Sequence, residues 1–175
     1  KAWIDGFYGC PRTDHVELEK YKEGLIVCSA CIAGEVPEKI LHGDEEGAEK
    51  ALIWFKQVFG DDYYLELQRH EVTNPNIRAN RETYPLQQKA NAKLIELARK
   101  HNVKLICSND CHFVDEENAE AHDRLLCLST GKDLNDPTRM LYSKQEWFKT
   151  REEMNEIFSD IPEALVNTCE ILDKV

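Results

Sequence analysis

The chain lacks any apolar run approaching the ~20 residues that cross a bilayer, and nothing at its start resembles a secretory leader. Low-complexity tracts and internal repeats are missing as well, which sets aside linker and solenoid readings. Positive charge is scarce: 22 Lys and Arg against 33 Asp and Glu leave a net charge of -11. That balance argues against a principal nucleic-acid grip, because phosphate binding draws on clustered cations. A local contact stays open, as does a metal centre that meets phosphate through its ions. The cysteines do not come as an even set. Seven thiols without an export signal read as reduced groups or ligands, not a disulfide frame, and point to the cytoplasm. The chain begins with Lys1 rather than Met, which fits a piece of something longer. What is present is globular: 42% hydrophobic and 31% charged over 175 residues, enough for one domain with a real core.

The stretch from Val103 to Phe113 carries the chemical lead. Leu105, Ile106 and Cys107 form a short apolar run of the kind that becomes a buried strand. Asp110 and His112 follow it. If the backbone is still extended there, positions i and i+2 project to the same side. Two readings compete at this point, a loop-capping device and a metal-binding pair.

Taken in order, residues 1–12 predict an irregular packed opening around Trp3, Phe7 and Tyr8. Asp14 and Glu17 have the form of a capping box that starts a short helix, stopping near Gly24. Leu25 to Cys28 is a first strand. A short helix from Val36 to His42 precedes one from Glu45 to Phe59, capped by Asp44, with Ala48, Leu52, Phe55 and Phe59 as its core stripe. Tyr63 to Leu67 is a second strand. Val72 to Arg81 reads as an exposed loop with Asn74-Pro75-Asn76 as its turn. Pro85 to His101 is a long helix that buries Ala90, Leu94, Leu97 and Ala98, and the third strand follows it. Asp115 caps a helix to Thr130, ended by Gly131, and residues 132–149 read as loop. Thr150 with Glu153, and Asp160 with Glu163, form two more capping boxes that open the closing helices.

Strands alternating with helices argue for an α/β fold with a parallel sheet and right-handed crossovers. Such sheets keep their chemistry at the carboxyl ends of the strands. Cys31 follows strand one, His70 follows strand two, and Asp110 and His112 follow strand three, so four metal-capable side chains share one edge. Three strands cannot close a barrel, which takes about eight. The sheet is therefore open, or its missing strands lie elsewhere.

Several runs in this order resemble a known family. They include Gly24-Leu25-Ile26, Ser29-Ala30-Cys31, Gly34-Glu35-Val36-Pro37, Val58 to Asp61 and Tyr64 to Gln68. Ser108-Asn109-Asp110 with His112, Ala119 to Asp123, Leu125-Leu126-Cys127, Thr130-Gly131-Lys132, Asp136-Pro137 and Arg139 extend them. Together they resemble the polymerase and histidinol phosphatase (PHP) domain, in the form carried by bacterial DNA polymerase III alpha subunits. The resemblance implies a seven-stranded, TIM-like βα barrel with a cluster of divalent ions (Zn, Mn or Mg) at its strand ends. It makes Cys31, Asp110 and His112 the metal ligands and leaves His70 as a second-layer or substrate contact. The family's opening His-x-His is absent from the chain. The expectation is therefore the C-terminal part of the domain over 1–150, followed by a helical segment, 151–175, leading toward the polymerase palm. In that reading the parent is a DNA-directed DNA polymerase and this part belongs to a 3′–5′ exonuclease-like phosphoesterase site. The partners implied are the rest of the alpha chain, a proofreading exonuclease subunit and DNA through the parent, with no membrane. The isolated chain should bind metal weakly and turn over little. The competing reading is a non-catalytic scaffold that docks the exonuclease.

Smaller features carry their own alternatives. Cys28-Ser-Ala-Cys31 is a C-x-x-C after a strand, the pattern of a redox module, although Cys28 belongs to the apolar run. Cys107 and Cys111 read as core residues more readily than as zinc ligands. His122 and Asp123 can orient the strand-three loop from outside the ligand set. Lys132 and Arg139 are the candidate contacts to nucleic acid or a neighbouring domain. His15, His42 and His101 sit at helix ends and need no function.

Overall fold

The computed structural model describes residues 1–72 and 78–175, with the side chains of 80 and 81 also outside the description. The expected Asn74-Pro75-Asn76 turn lies outside the described residues. The first twelve residues are not packed in. They form a two-residue antiparallel hairpin, β1 (Phe7–Tyr8) and β2 (Cys10–Pro11). Trp3 stacks on Phe7 at 5.3 Å, and both remain exposed, because these aromatics meet one another and not the core.

Next come α1 (His15–Lys20), β3 (Val27–Cys28), α2 (Glu35–Leu41) and α3 (Glu45–Phe59). Asp14 and Asp44 cap α1 and α3, each accepting from a backbone N–H three residues on at 2.9 Å. β4 (Tyr63–Gln68) is followed by α4 (Arg78–Glu82), a short helix inside the stretch read as a loop. Then come α5 (Tyr84–His101), β5 (Lys104–Ser108) and α6 (Ala119–Thr130). A 3-10 turn, Glu116–Asn118, opens α6, with Asp115 and Asn118 in a reciprocal cap. The Thr150–Glu153 capping box opens α7 (Arg151–Ile157).

Of the other two expected boxes, the first forms only its Asp14 half and the third does not form. α8 (Pro162–Asp173) begins after Ile161, with Pro162 at its first position, where the missing N–H costs nothing. Asp160 is drawn instead into a two-point pair with Arg69, at 2.6 and 2.9 Å.

The three main strands are parallel in the order β3-β4-β5, with Val27 beside Tyr63 and Tyr64 beside Lys104. β4 is central and buried on both faces, as a parallel strand between two helical layers should be. Leu65, Leu67 and Leu105 meet Val36 and Ile40 of α2, Leu52 of α3 and Leu94 and Leu97 of α5 in the apolar core. Burying side chains of this size contributes roughly 1.5–3 kcal/mol each.

The outer edge of β5 is covered by a helix. Asn167 of α8 donates to the Leu105 carbonyl at 2.9 Å, and the Thr168 hydroxyl accepts from the Cys107 N–H at 3.2 Å. These side chains occupy ladder positions that another strand would use, and a covered edge does not pair with foreign chains.

Charge fastens the same helix. Glu170 accepts from the Tyr64 hydroxyl at 2.9 Å and from Lys104 at 2.6 and 2.7 Å. The Lys104 bond, then the Tyr64 bond, pull its carboxyl down to about 2. A lowered folded-state value stabilises fully above the unfolded value, ~4.3, and the contribution fades as pH falls toward the folded one. Glu170→Gln is therefore expected to lower the urea midpoint at pH 7. Its deficit should shrink between roughly pH 4.5 and pH 2. A deficit constant across that window would contradict the assignment.

Candidate metal centre

Apart from the tyrosines that open β4, the buried polar side chains among the described residues gather toward the carboxyl ends of β3, β4 and β5. They are Ser29, Gln68, His70, Gln87, Asn91, Asn109, Ser143 and Glu146. Buried polar groups must find partners or cost stability, and these largely find one another. The Ser29 hydroxyl accepts from the Glu66 N–H at 2.8 Å, and Asn91 donates to the Gln68 carbonyl at 2.9 Å. Ser108 donates to the Glu66 carboxylate.

His70 is the hub of this layer. Its N–H donates to Gln87 Oε1 at 2.8 Å, which turns the Gln87 amide so that Nε2 faces His70 Nδ1 at 2.9 Å. An amide nitrogen only donates, so Nδ1 accepts. The ring hydrogen then lies on Nε2, which donates to the Asn109 carbonyl at 2.9 Å. With both nitrogens engaged and 2% of the residue exposed, His70 braces the strand ends from beneath.

Cys31 rides on the loop between β3 and α2. Ser29 N–H continues the ladder onto the Tyr64 carbonyl at 3.0 Å, and Gly34 N–H closes back on the Cys31 carbonyl at 2.8 Å. A Cβ at Gly34 would stand 2.0 Å from the Ser29 carbonyl oxygen, so only glycine fits this close approach. Below the loop, Cys31 lines a cleft of about 10 Å³ with Glu66, Gln68, Gln87 and Asn91.

Asp110 and His112 come together by a different route from the expected one. β5 ends at Ser108, and Asp110 has φ +46° in place of extended backbone. The turn still brings Asp110 Oδ1 within 3.5 Å of His112 Nε2, with both side chains about one-third exposed. This is longer than a good hydrogen bond. It is close to the edge of a tetrahedron built on 2.0–2.1 Å bonds, about 3.3 Å. Ala30 (φ +61°) and Lys144 (φ +71°) hold the same left-handed conformation at this rim. Such strain persists where the surroundings impose it.

A strap made of residues 143–148 holds the loop. Asn109 Nδ2 donates to the carbonyls of Gln145 at 2.8 Å and Trp147 at 2.6 Å, and His112 N–H donates to the Glu146 carbonyl at 2.7 Å. Phe148 N–H reaches the Val114 carbonyl at 3.0 Å, and Phe113 bridges Trp147 in parallel. Tyr142, just before the strap, places its ring 4.5 Å from that of His112. Burial, then the charges of Asp110, Glu146 and Cys31, raise its phenol, so it stays protonated beside the Asp110–His112 loop. Sequence reasoning missed the strap, Gln87 and Asn91. The α5 stripe at 87, 90, 91, 94, 97 and 98 does carry a signal, since its helical spacing runs on into amides at the strand-end side.

The other expected residues fall as follows. His122 on α6 lies 5.8 Å from His112, ring to ring, and burial, then His112, lowers its pKa. Asp123 does not reach the loop; it pairs with Arg139, whose Nη2 lies 2.9 Å away. That bond holds Arg139 charged and largely buried, so the cation read as a surface contact serves inside the chain. Lys132 binds Asp136 at 3.2 Å and Thr138 at 3.1 Å. Cys107 is buried against Thr168, and Cys111 is exposed. Among the described residues, no group of three or more His, Cys, Asp and Glu side chains is gathered closely enough to hold a metal ion. The metal-capable side chains brought together are the Asp110–His112 pair; Cys31 stands on the loop after β3, across the β4 end.

Comparison with known proteins bears on this arrangement. A family model described as the PHP domain matches residues 1–70. Residues 1–70 belong to the PHP domain family. It is 42% identical over 174 residues to DNA polymerase III subunit alpha of Borreliella burgdorferi, covering 99% of this chain and 14% of that protein. The Campylobacter jejuni subunit is 38% identical over 185 residues, with the same coverage. That of Thermus aquaticus is 35% identical over 165 residues, 94% of this chain and 12% of its own length. The chain thus spans about one-seventh of the length of the relatives it matches first. The family match ends at His70, while the Asp110–His112 pair lies in the stretch shared with the alpha subunits.

An oxygen and an imidazole nitrogen at this spacing fit a divalent ion of the zinc or manganese type. The C-x-x-C reading does not fit. Burial, then Glu66, push Cys28 up to about 11, the reverse of a reactive thiol. At pH 8, iodoacetamide is expected to label exposed Cys10, Cys111 and Cys169 well before Cys28, read by peptide mass spectrometry. Labelling of Cys28 at the same rate would contradict the buried assignment.

Proposed function

We propose that this chain contributes ligands to a metal-dependent phosphoesterase site of the 3′–5′ exonuclease-like kind, within the PHP domain of a DNA polymerase III alpha chain. The Asp110–His112 spacing at the mouth of the parallel sheet carries the reading. In the complete domain, two or three divalent ions (Zn, Mn or Mg) would polarise a phosphate and lower the pKa of bound water, to about 7 on zinc. Asp110 and His112 would bind on one loop, and Cys31 would offer its sulfur from the loop on the far side of the β4 end. His70 holds the Asp110 loop from below through the Asn109 carbonyl, and protonated Tyr142, beside His112, can donate to a phosphate oxygen there.

The remaining strands of a seven-stranded barrel, and the remaining ligands, would come from outside this chain. In this reading 1–150 is PHP domain and 151–175 leads toward the palm, where the parent would carry out DNA-directed DNA synthesis in the cytoplasm. A scaffold role that docks a proofreading exonuclease is favoured by a separate observation. Leu125 and Leu128 of α6 are 61% and 80% exposed on an otherwise acidic chain.

Cobalt(II) titration followed by visible absorption tests the ligand set. Weak binding is expected, with a sulfur-to-metal charge-transfer band lost in Cys31→Ser. Asp110→Asn and His112→Ala should each weaken affinity by at least about tenfold. Tight stoichiometric binding that none of the three changes alters would sink the proposal.

A further inference from the structure

We infer that Glu146 is the positioning residue of the Asp110–His112 pair, acting at the centre of the strap. This rests on the proposed metal role for its consequence but not for its geometry. Glu146 is 1% exposed, an unusual place for a carboxylate. Its main chain and its side chain perform separate tasks. The carbonyl accepts from the N–H of His112 at 2.7 Å and of Phe113 at 3.4 Å, and so fixes the backbone that carries the imidazole. Oε1 accepts from the Ser143 N–H at 2.9 Å and the Ser143 hydroxyl at 2.6 Å, folding the strap back on itself. The same oxygen stands 3.5 Å from His70 Nδ1, a nitrogen already occupied by the Gln87 amide, so strap and hub are neighbours without a bond between them.

Two further observations favour a positioning role over a local turn. Lys144 sits inside the Glu146–Ser143 turn with φ +71°, a conformation that a residue with a Cβ adopts only under constraint. Among the described residues, Glu146 Oε2 is buried without a partner, a costly position for a carboxylate. Its other oxygen accepts two bonds and so imposes a fixed geometry on the strap. What it imposes is the placement of the His112 main chain, and through it the 3.5 Å separation from Asp110.

Hydrogen exchange of the 175-residue chain, read by NMR, separates this from general stability. In Glu146→Ala the amides of His112 and Phe113 are expected to exchange at least about tenfold faster, while the β4–β5 ladder amides keep their protection. Cobalt(II) affinity should fall about 10–100-fold, the range for residues that orient a ligand. Glu146→Gln, whose Oε1 can still accept from Ser143, should restore most of both. If Glu146→Ala loosens the whole sheet, Ser143→Ala takes its place, since it removes only the hydroxyl donor and should raise His112 exchange alone. Unchanged His112 exchange in the variant so chosen overturns the inference. Absence of cobalt binding in the parent chain would instead count against the proposed function, leaving the exchange result to decide on Glu146.

Discussion

A single buried imidazole holds the upper half of this molecule together. His70 lies two residues past the central strand, and its three polar groups reach α5 through Gln87 and the β5 loop through the Asn109 carbonyl. In a low-dielectric interior each of these bonds is directional and expensive to leave unmade. The strand ends therefore cannot slide relative to one another without opening several at once. The apolar core below tolerates exchange among shapes. The polar layer above admits one arrangement.

That division explains where strain is found. Ala30, Asp110 and Lys144 all take left-handed backbone at the rim of the sheet. They can do so because Gly34 closes the Cys31 loop from one side, while Asn109 and the strap close the Asp110 loop from the other. The result is two loops with metal-capable tips, standing on either side of the β4 end, with Tyr142 against His112. At the other boundary, α8 lays Asn167 and Thr168 along the edge of β5, and half-buried β3 forms the opposite edge of the sheet.

The PHP match over residues 1–70 and likeness to DNA polymerase III alpha subunits give this architecture a setting without assigning its residues. The matched family stretch contains the Cys31 loop and the hub at His70, but not the Asp110–His112 pair. What joins the two is the sheet. Parallel pairing of β3, β4 and β5 brings residues 79 positions apart in the chain to loops on one sheet edge, on either side of the β4 end. Phosphate chemistry in an acidic chain is consistent with this, since the attraction would come from bound cations and not from the protein's own net charge.

Much of the framework was legible in the residues themselves. Alternating strands and helices, the caps at Asp14, Asp44 and Thr150, and the location of Cys31, His70, Asp110 and His112 past strand ends follow from periodicity and local hydrogen bonding. These are interactions between near neighbours, which the sequence specifies directly. Other features depended on distant partners. The opening aromatics lie on the surface, Asp160 leaves its expected cap for Arg69, Arg139 turns inward to Asp123, and a strap from residues 143–148 holds His112. A local pattern says which groups a residue can bond; it does not say which of them the folded chain will bring near. The sequence by itself determined the donors and the edge they share. Tertiary structure alone decided that His70 braces, that Asp110 turns back toward His112, and that Glu146 stands behind both, because those contacts join segments that meet only after the sheet and its loops have closed.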